Sequence, residues 1–161
     1  MGCVRHDGST RLHKEGVAIA DNFFGQSSFA AKAICSERNV VKVDPDADLA
    51  ALAPLGCGVQ TGVGAVLRSL KARTGESLVI IGAGTVGLSA VLGGVIAECS
   101  PIIIIEPQET RRNLALSLGA THAIDPSAGD TVEAVRGIVP LGADLVLDSS
   151  GFVPAVEPAV N

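Results

Sequence analysis

The sequence reads LVIIGAGTVG at residues 78–87, an apolar run that leads directly into three glycines spaced as GxGxxG. A strand that ends in this pattern and continues as a helix is typical of dinucleotide-binding folds, because each glycine has a separate task. Gly82 permits the tight turn off the strand, Gly84 lets a diphosphate approach the backbone, and Gly87 lets the helix pack closely on the strand. The stretch therefore predicts a dinucleotide site at the end of a buried strand.

An acidic residue lies where this motif predicts one. Glu106 directly follows the apolar run IIII at residues 102–105, and such an acid is expected about 20 residues beyond the glycines. A carboxylate at this point accepts hydrogen bonds from the adenosine ribose and repels a 2′-phosphate, so NAD is predicted rather than NADP. A glycine turn that merely packs tightly is the alternative, and the position of Glu106 argues against it.

Four more residues are candidates for contacts with the cofactor. Thr85 and Val86 open the helix after the turn, where free N–H groups and the positive end of the helix dipole face the diphosphate. Arg111 begins the next predicted helix and could lie along the adenine, although a solvated helix face is the alternative for it or for Arg112. Ser150 follows the fourth predicted strand, at the edge where open α/β sheets bind ligands.

The chain around the glycine motif alternates apolar runs with helical windows, which is typical of βαβ units and a parallel sheet buried on both faces. The predicted strands are residues 77–81, 101–105, 122–124 and 143–147, and the predicted helices are residues 85–97, 109–118 and about 131–138. Right-handed crossovers would order these strands in one sheet. The expected fold class is α/β, a doubly wound parallel Rossmann sheet that is incomplete at its carboxyl end.

The first half of the chain has weaker patterns. Residues 1–20 lack a sustained period and are predicted as a loop, whereas residues 23–43 alternate like short antiparallel strands broken by turns. Residues 49–55 predict a short helix, and residues 57–70 continue as a second helix with apolar side chains three and four apart. We expect two domains, residues 1–53 and residues 54–161.

Composition excludes several classes of function. With 161 residues, a net charge of −5 and 2% aromatic residues, the chain has neither the surplus of Lys and Arg nor the stacking platforms that nucleic-acid binding uses. No apolar run approaches the roughly 20 residues of a membrane-spanning helix, and no secretory signal is evident. The four cysteines are scattered and form neither a disulfide framework nor a zinc knuckle, so we expect a cytoplasmic protein with reduced thiols.

Several motifs together resemble one enzyme family. They are FFGQSSFA at 23–30, SERNVVKV at 36–43, LGCGVQTG at 55–62, the glycine turn, LGATH at 118–122 and DSSG at 148–151. In this order they resemble the aryl- or benzyl-alcohol branch of the zinc-dependent medium-chain alcohol dehydrogenases. The resemblance covers nearly the whole chain from Asp7 onward, and implies that residues 1–53 are part of a β-rich, GroES-like catalytic domain.

The resemblance also implies an activity and two site residues. A member of this family oxidises a primary or aromatic alcohol to an aldehyde with NAD, uses a catalytic zinc, and is usually a homo-oligomer. Cys57 matches the last protein ligand of that zinc, and Thr61 matches a threonine that contacts the nicotinamide ring. From the residues alone, a cysteine such as Cys57 is more often a small buried side chain or a mildly acidified thiol than a metal ligand, and the alternative for Thr61 is a helix threonine bonded to its own backbone.

The chain departs from the family pattern at both ends. The first two zinc ligands, the hydroxyl residue that relays the alcohol proton and the structural zinc cysteines have no counterpart, and neither Cys3, His6 nor His13 matches a ligand motif. We expect an internal fragment that carries the cofactor site and is inactive alone. The alternatives are an NAD-binding module without turnover, and a zinc-free quinone or enoyl reductase, against which Cys57 and Glu106 argue.

Overall fold

A computed structural model describes residues 7–20, 31–33 and 35–156 of the chain. It divides into two compact units, of which the first ends at Ala47 and the second begins at Asp48. The division at residues 53 and 54, and the GroES-like character of the part before it, stay predictions from the sequence.

The first unit contains a short hairpin. Strands β1 (Leu12–Lys14) and β2 (Val17–Ile19) pair antiparallel, with Leu12 opposite Ile19. Glu15 and Gly16 join them with φ angles of 54° and 80°, the two positive values typical of a two-residue hairpin turn. The prediction of a loop for residues 1–20 is therefore wrong at residues 12–19, because three-residue strands that are exposed on both faces need no alternation of apolar and polar side chains.

The strands predicted between residues 23 and 43 are not found where they can be checked. Residues 21–30 and 34 lie outside the described residues. From residue 35 to 43 the described chain contains a 3₁₀ helix, Glu37–Asn39, which begins at the capping residue Ser36, and no strand. The prediction of strands is therefore wrong for this part, where Val40, Val41 and Val43 are exposed.

The second unit begins with a series of short helices. Helix α1 (Leu49–Leu52) begins at Asp48, whose carboxylate accepts the N–H of Ala50, and a 3₁₀ turn (Ala53–Gly56) follows it. Helix α2 (Gly58–Gly64) continues as a π-helix (Ala65–Leu70). The two helices predicted at 49–55 and 57–70 are thus present, in mixed helix types.

None of the helices in the described part of the chain is by itself long and apolar enough to cross a membrane. The segments Leu49–Gly56 and Gly58–Leu70 reach that length and composition only when counted together, and they are bent by 49°.

Four parallel strands form the sheet of the second unit, in the order β5-β4-β3-β6. They are β3 (Leu78–Ile81), β4 (Ile102–Ile105), β5 (His122–Ile124) and β6 (Leu145–Asp148). The helices around them are α3 (Thr85–Ile96), α4 (Glu109–Ser117), α5 (Thr131–Ile138) and α6 (Val153–Val156). The predicted strands and helices of this region are confirmed, with ends that differ by one or two residues.

The sheet is buried on both faces. Leu78 and Ile80 of β3 belong to a core that includes Val91 of α3. Val79 and Ile81 point to the other face, where Val135 of α5 packs against the same cluster. Burial on both faces explains why β3 and β4 are uninterrupted apolar runs, and it confirms the doubly wound, Rossmann-like α/β fold.

The strand order places a topological switch beside β3. The chain runs outward from β3 to β4 and β5, and then returns to lay β6 on the opposite side of β3. Strands β3 and β6 are neighbours, and the loops that follow their carboxyl ends lead to opposite sides of the sheet. Open α/β sheets form a ligand crevice between two such loops.

Candidate functional site

The glycine-rich turn lies at this switch and joins β3 to α3. Gly82 has a φ of +90°, a left-handed conformation that glycine adopts without strain. Its N–H donates to the carbonyl oxygen of Ile105 at 2.8 Å, so the turn is tied to the end of the neighbouring strand.

The three glycines of the turn differ in what surrounds them. A Cβ on Gly87 would overlap the carbonyl oxygen of Gly82, and a Cβ on Gly82 would lie 3.1 Å from the backbone nitrogen of Ser150. A Cβ on Gly84 would meet nothing within 4 Å. The protein's own packing therefore requires a glycine at position 87, whereas the missing side chain at Gly84 leaves an open cradle in front of the helix.

The first turn of α3 has no side-chain cap from the described residues. Helices α1 and α5 are capped by Asp48 and Asp130. The amides at Thr85 and Val86 thus belong to a helix start whose N–H groups lack intrahelical partners and face the open cradle at Gly84. This arrangement fits an anionic group such as the diphosphate of NAD.

Glu106 lies next to the turn and is only 4% exposed. Its Oε2 accepts the N–H of Ala83 at 2.8 Å, and its Oε1 accepts the N–H of Gln108 at 3.0 Å. Each carboxylate oxygen can accept more than one hydrogen bond, so a ribose hydroxyl can still be accommodated. The structure adds a role that the sequence did not indicate, because Glu106 also holds the glycine turn.

The loop after β6 completes the crevice. Ser150, a predicted cofactor residue, donates its hydroxyl to Asp148 Oδ1 at 2.7 Å and accepts the N–H of Phe152 at 3.1 Å. Ser149 points to the glycine turn instead, and the single proton of its hydroxyl is shared between the carbonyl oxygens of Ile81 and Gly82, at 3.0 and 3.1 Å. Ser149 was not predicted as a site residue from the sequence, although its place after the strand beside β3 was a usable signal.

The two arginines of α4 have different surroundings. Arg111 is exposed and lines the crevice, and its place beside an adenine stays a prediction. Arg112 instead donates to the carbonyl oxygens of Glu106 and Pro107, both at 2.7 Å, and forms an ion pair with Asp125 at 3.1 Å. Hydrogen bonds from Ser127, together with the charge of Arg112, lower the pKa of Asp125. Arg112 thus fixes the loop after β4.

A cleft of about 970 Å³ follows the carboxyl edge of the sheet. Its polar rim includes Gln108, Arg111, Ser127, Thr131 and Ser150. Apolar side chains on one face of the sheet line the rest. A large cleft with an apolar wall and a few polar groups is typical of cofactor sites.

Helix α2 crosses the beginning of α3 so closely that there is no room for a side chain between the two backbones at Gly62. A Cβ on Gly62 would overlap the carbonyl oxygen of Val86, and a Cβ on Gly58 would lie 2.6 Å from Thr85 Cγ2. The crossing brings the helix start that carries Cys57 and Thr61, both exposed, beside the first turn of α3. This crossing was not predicted from the sequence, although two glycines four residues apart, Gly58 and Gly62, were the available signal.

The described residues do not assemble a metal site around Cys57. They contain no group of three His, Cys, Asp or Glu side chains that could hold a metal ion. Cys35 is exposed, whereas Cys99 is buried, and burial together with the charge of Glu76 raises the pKa of the Cys99 thiol. The zinc ligand set implied by the resemblance therefore does not fit the described residues, which offer only Cys57.

Comparison with known proteins relates this site to dehydrogenases. Residues 85–161 match the family described as zinc-binding dehydrogenase. The chain is 46% identical to a geraniol dehydrogenase of Castellaniella defragrans over 99% of its own length and 43% of that relative's length.

Solved structures give the same relationship. The benzyl alcohol dehydrogenase of Acinetobacter calcoaceticus is 41% identical with a TM-score of 0.85, over 96% of this chain and 41% of that one. An alcohol dehydrogenase zinc-binding domain protein from Burkholderia ambifaria is 46% identical with a TM-score of 0.84, over 96% of this chain and 42% of that one. The chain thus spans less than half the length of these relatives. It is similar to alcohol dehydrogenases over nearly its whole length, and its residues 85–161 match the zinc-binding dehydrogenase family.

Proposed function

We propose that this chain supplies the NAD-binding part of an alcohol dehydrogenase that exchanges a hydride between a primary or aromatic alcohol and NAD. The observation that carries the proposal is the uncapped start of α3 facing the open cradle at Gly84, with the buried carboxylate of Glu106 beside it. Relatives named geraniol dehydrogenase and benzyl alcohol dehydrogenase support the choice of substrate class.

In this proposal the residues of the chain bind and orient the dinucleotide. The amides of Gly84, Thr85 and Val86 hold the diphosphate, because backbone N–H groups and the helix dipole both favour an anion. Glu106 accepts an adenosine ribose hydroxyl and disfavours a 2′-phosphate. Bound in this way, NAD supplies the hydride chemistry.

Three further residues complete the proposed cofactor site. Arg111 lies along the adenine end of the cleft, and Ser150 contacts the dinucleotide at the end of β6. Thr61 faces the nicotinamide end from α2, whose beginning packs on Thr85. The contact between α2 and α3 supports placing Thr61 near the bound cofactor.

For zinc, the proposal is limited to Cys57 as one ligand. A single thiolate does not hold a catalytic zinc at useful affinity, and we derive no catalytic step through the metal. The lack of a ligand set among the described residues favours a second candidate function for this chain, namely NAD binding without turnover. The cytoplasmic location expected from the sequence is part of the same proposal.

A fluorescence titration with NADH and NADPH tests the cofactor site. The chain contains no Trp and no Tyr, so NADH emission is read against little protein fluorescence. We expect NADH to bind at least about tenfold more tightly than NADPH, a difference of roughly 1.4 kcal/mol. The Glu106→Gln variant should reduce this ratio, because it removes the negative charge that repels the 2′-phosphate. Equal affinities in the unchanged chain, or a preference for NADPH, would contradict the proposal.

A further inference from the structure

The peptide unit between Gly82 and Ala83 is bound at both of its polar ends. Its N–H, on Ala83, donates to Glu106 Oε2 at 2.8 Å. Its carbonyl oxygen, on Gly82, accepts the hydroxyl of Ser149 at 3.1 Å. The two partners come from opposite sides of β3, because Glu106 follows β4 and Ser149 follows β6.

Ser149 is well placed to hold this peptide. Its backbone N–H donates to the carbonyl oxygen of Ile81 at 2.9 Å, which continues the ladder between β3 and β6. Its hydroxyl then reaches the carbonyl oxygens of Ile81 and Gly82 at 3.0 and 3.1 Å. The same Oγ would be only 2.8 Å from a Cβ on Gly87, so it lies between the turn and the helix.

The turn needs such an external hold. Gly82 has a φ of +90° and no side chain that would restrict its rotation, so the peptide after it can adopt several orientations. A rotation of that peptide by half a turn would point the Gly82 carbonyl oxygen at the Glu106 carboxylate and leave the Ala83 N–H without its acceptor. The backbone of Ala83 leads directly into Gly84, Thr85 and Val86, whose amides hold the diphosphate in the proposed NAD site.

We propose that Ser149 is a positioning residue for dinucleotide binding. Its hydroxyl and the Glu106 carboxylate hold the two ends of the peptide unit between Gly82 and Ala83, and so fix the direction of the amides that receive the diphosphate. The inference rests on the proposed NAD site. It gives Ser149 a role that acts through the turn.

The test compares Ser149→Ala with Ser149→Thr in the full chain. Alanine removes the hydroxyl, whereas threonine keeps it. Ser149→Cys is a second variant of nearly unchanged size, whose thiol is only a weak donor. Ser117→Ala is the matched control, because the Ser117 hydroxyl also donates to a backbone carbonyl, that of Leu114, and it lies on α4 away from the cleft.

The first readout is the affinity for ADP-ribose, which has the diphosphate, and for adenosine, which lacks it. We expect Ser149→Ala to bind ADP-ribose about tenfold more weakly, the equivalent of one hydrogen bond, with the adenosine affinity unchanged. Ser149→Cys should resemble Ser149→Ala, while Ser149→Thr and Ser117→Ala should bind as the unchanged chain does. If Ser149→Ala lost the same affinity for ADP-ribose and for adenosine, or lost no affinity for ADP-ribose, the inference would be overturned.

The second readout is amide hydrogen exchange at Ala83 without any ligand. Loss of the hydroxyl should raise the exchange rate of the Ala83 N–H about tenfold, because one end of its peptide is released. Unchanged exchange at Ala83 together with weaker ADP-ribose binding would indicate direct contact of Ser149 with the ligand, and would overturn the positioning role. Failure of the unchanged chain to bind ADP-ribose would overturn the proposed NAD site itself, which the exchange rates do not depend on.

Discussion

At the scale of single residues, Gly84 and Gly87 are needed for different reasons, Gly84 for the proposed binding of the diphosphate and Gly87 for folding. Both are glycines of one motif, but only Gly87 is required by contacts within the protein, since a Cβ there would overlap the carbonyl oxygen of Gly82. At Gly84 the backbone is extended, with φ −75° and ψ −173°, and a methyl group would extend into the open cradle. The motif in the sequence does not show this division of roles, because it depends on which atoms lie nearby.

This difference gives a prediction for two alanine variants. Gly87→Ala should destabilise the fold by about 3 kcal/mol or more, since a backbone oxygen has little room to move. Gly84→Ala should unfold at the same temperature as the unchanged chain but lose NADH binding, because its methyl group occupies the diphosphate position. Circular dichroism during heating and NADH titration measure the two effects. A Gly84→Ala variant with normal NADH affinity would contradict this use of the cradle.

At the scale of the helices, the crossing of α2 over α3 depends on the lack of side chains. Gly62 is buried in the contact, with a Cβ position 2.7 Å from Ser89 Cβ and 2.8 Å from the Ala90 nitrogen. Gly64 lies in the same helix, and a Cβ there would meet nothing within 4 Å. The helix offers a matched pair of glycines, one inside the crossing and one outside it.

We expect alanine to have opposite effects at these two positions. Gly62→Ala should destabilise the second unit by about 3 kcal/mol or more, because the helices must separate. Gly64→Ala should stabilise it by about 0.5 to 1 kcal/mol, since alanine loses less conformational freedom in a helix than glycine does. Urea denaturation followed by circular dichroism gives both values. Similar effects from the two substitutions would show that the crossing does not depend on close approach.

At the scale of the whole molecule, the sequence was sufficient to predict the strands and helices of the sheet region, but not the secondary structure of the chain before it. Strands β3 and β4 are buried on both faces, so their apolar runs were distinctive. The hairpin at Leu12–Ile19 is exposed and lacked such a pattern. The crevice was predictable from Gly82 to Glu106, because a known motif fixes their spacing. The roles of Ser149 and Gly62 depend on contacts between distant segments, which spacing alone does not indicate.

At the amino ends of the strands, opposite the cleft, a contact between Ser77 and Asp144 makes the stability of the fold sensitive to acid. The Ser77 backbone N–H and hydroxyl both donate to Asp144 Oδ2, at 2.8 and 2.6 Å, which joins the beginnings of β3 and β6. These hydrogen bonds lower the pKa of Asp144 below its ordinary value of 3.8. A carboxylate of lowered pKa stabilises the fold above its ordinary pKa, and the contribution is lost as pH falls through the lowered value.

We therefore expect part of the stability to be lost below about pH 4. Asp144→Asn should be less stable than the unchanged chain at pH 7, and its stability should depend less on pH in the acid range. Ser77→Ala should also reduce that dependence, because it removes one of the donors. Urea midpoints measured from pH 7 to pH 2.5 test this. The same acid dependence in all three proteins would exclude a role for this contact.

The crossing of α2 and α3 also limits how closely these two helices can approach each other. At Gly62 the backbone of α2 already lies against the backbone of α3, so no side chain remains at that position that could be shortened to bring the two helices closer. Substitutions at the crossing can only increase the separation. The distance between the two helices at Gly62 therefore has a lower limit set by the backbone, and variation of the chain at this position can widen the crossing but cannot narrow it.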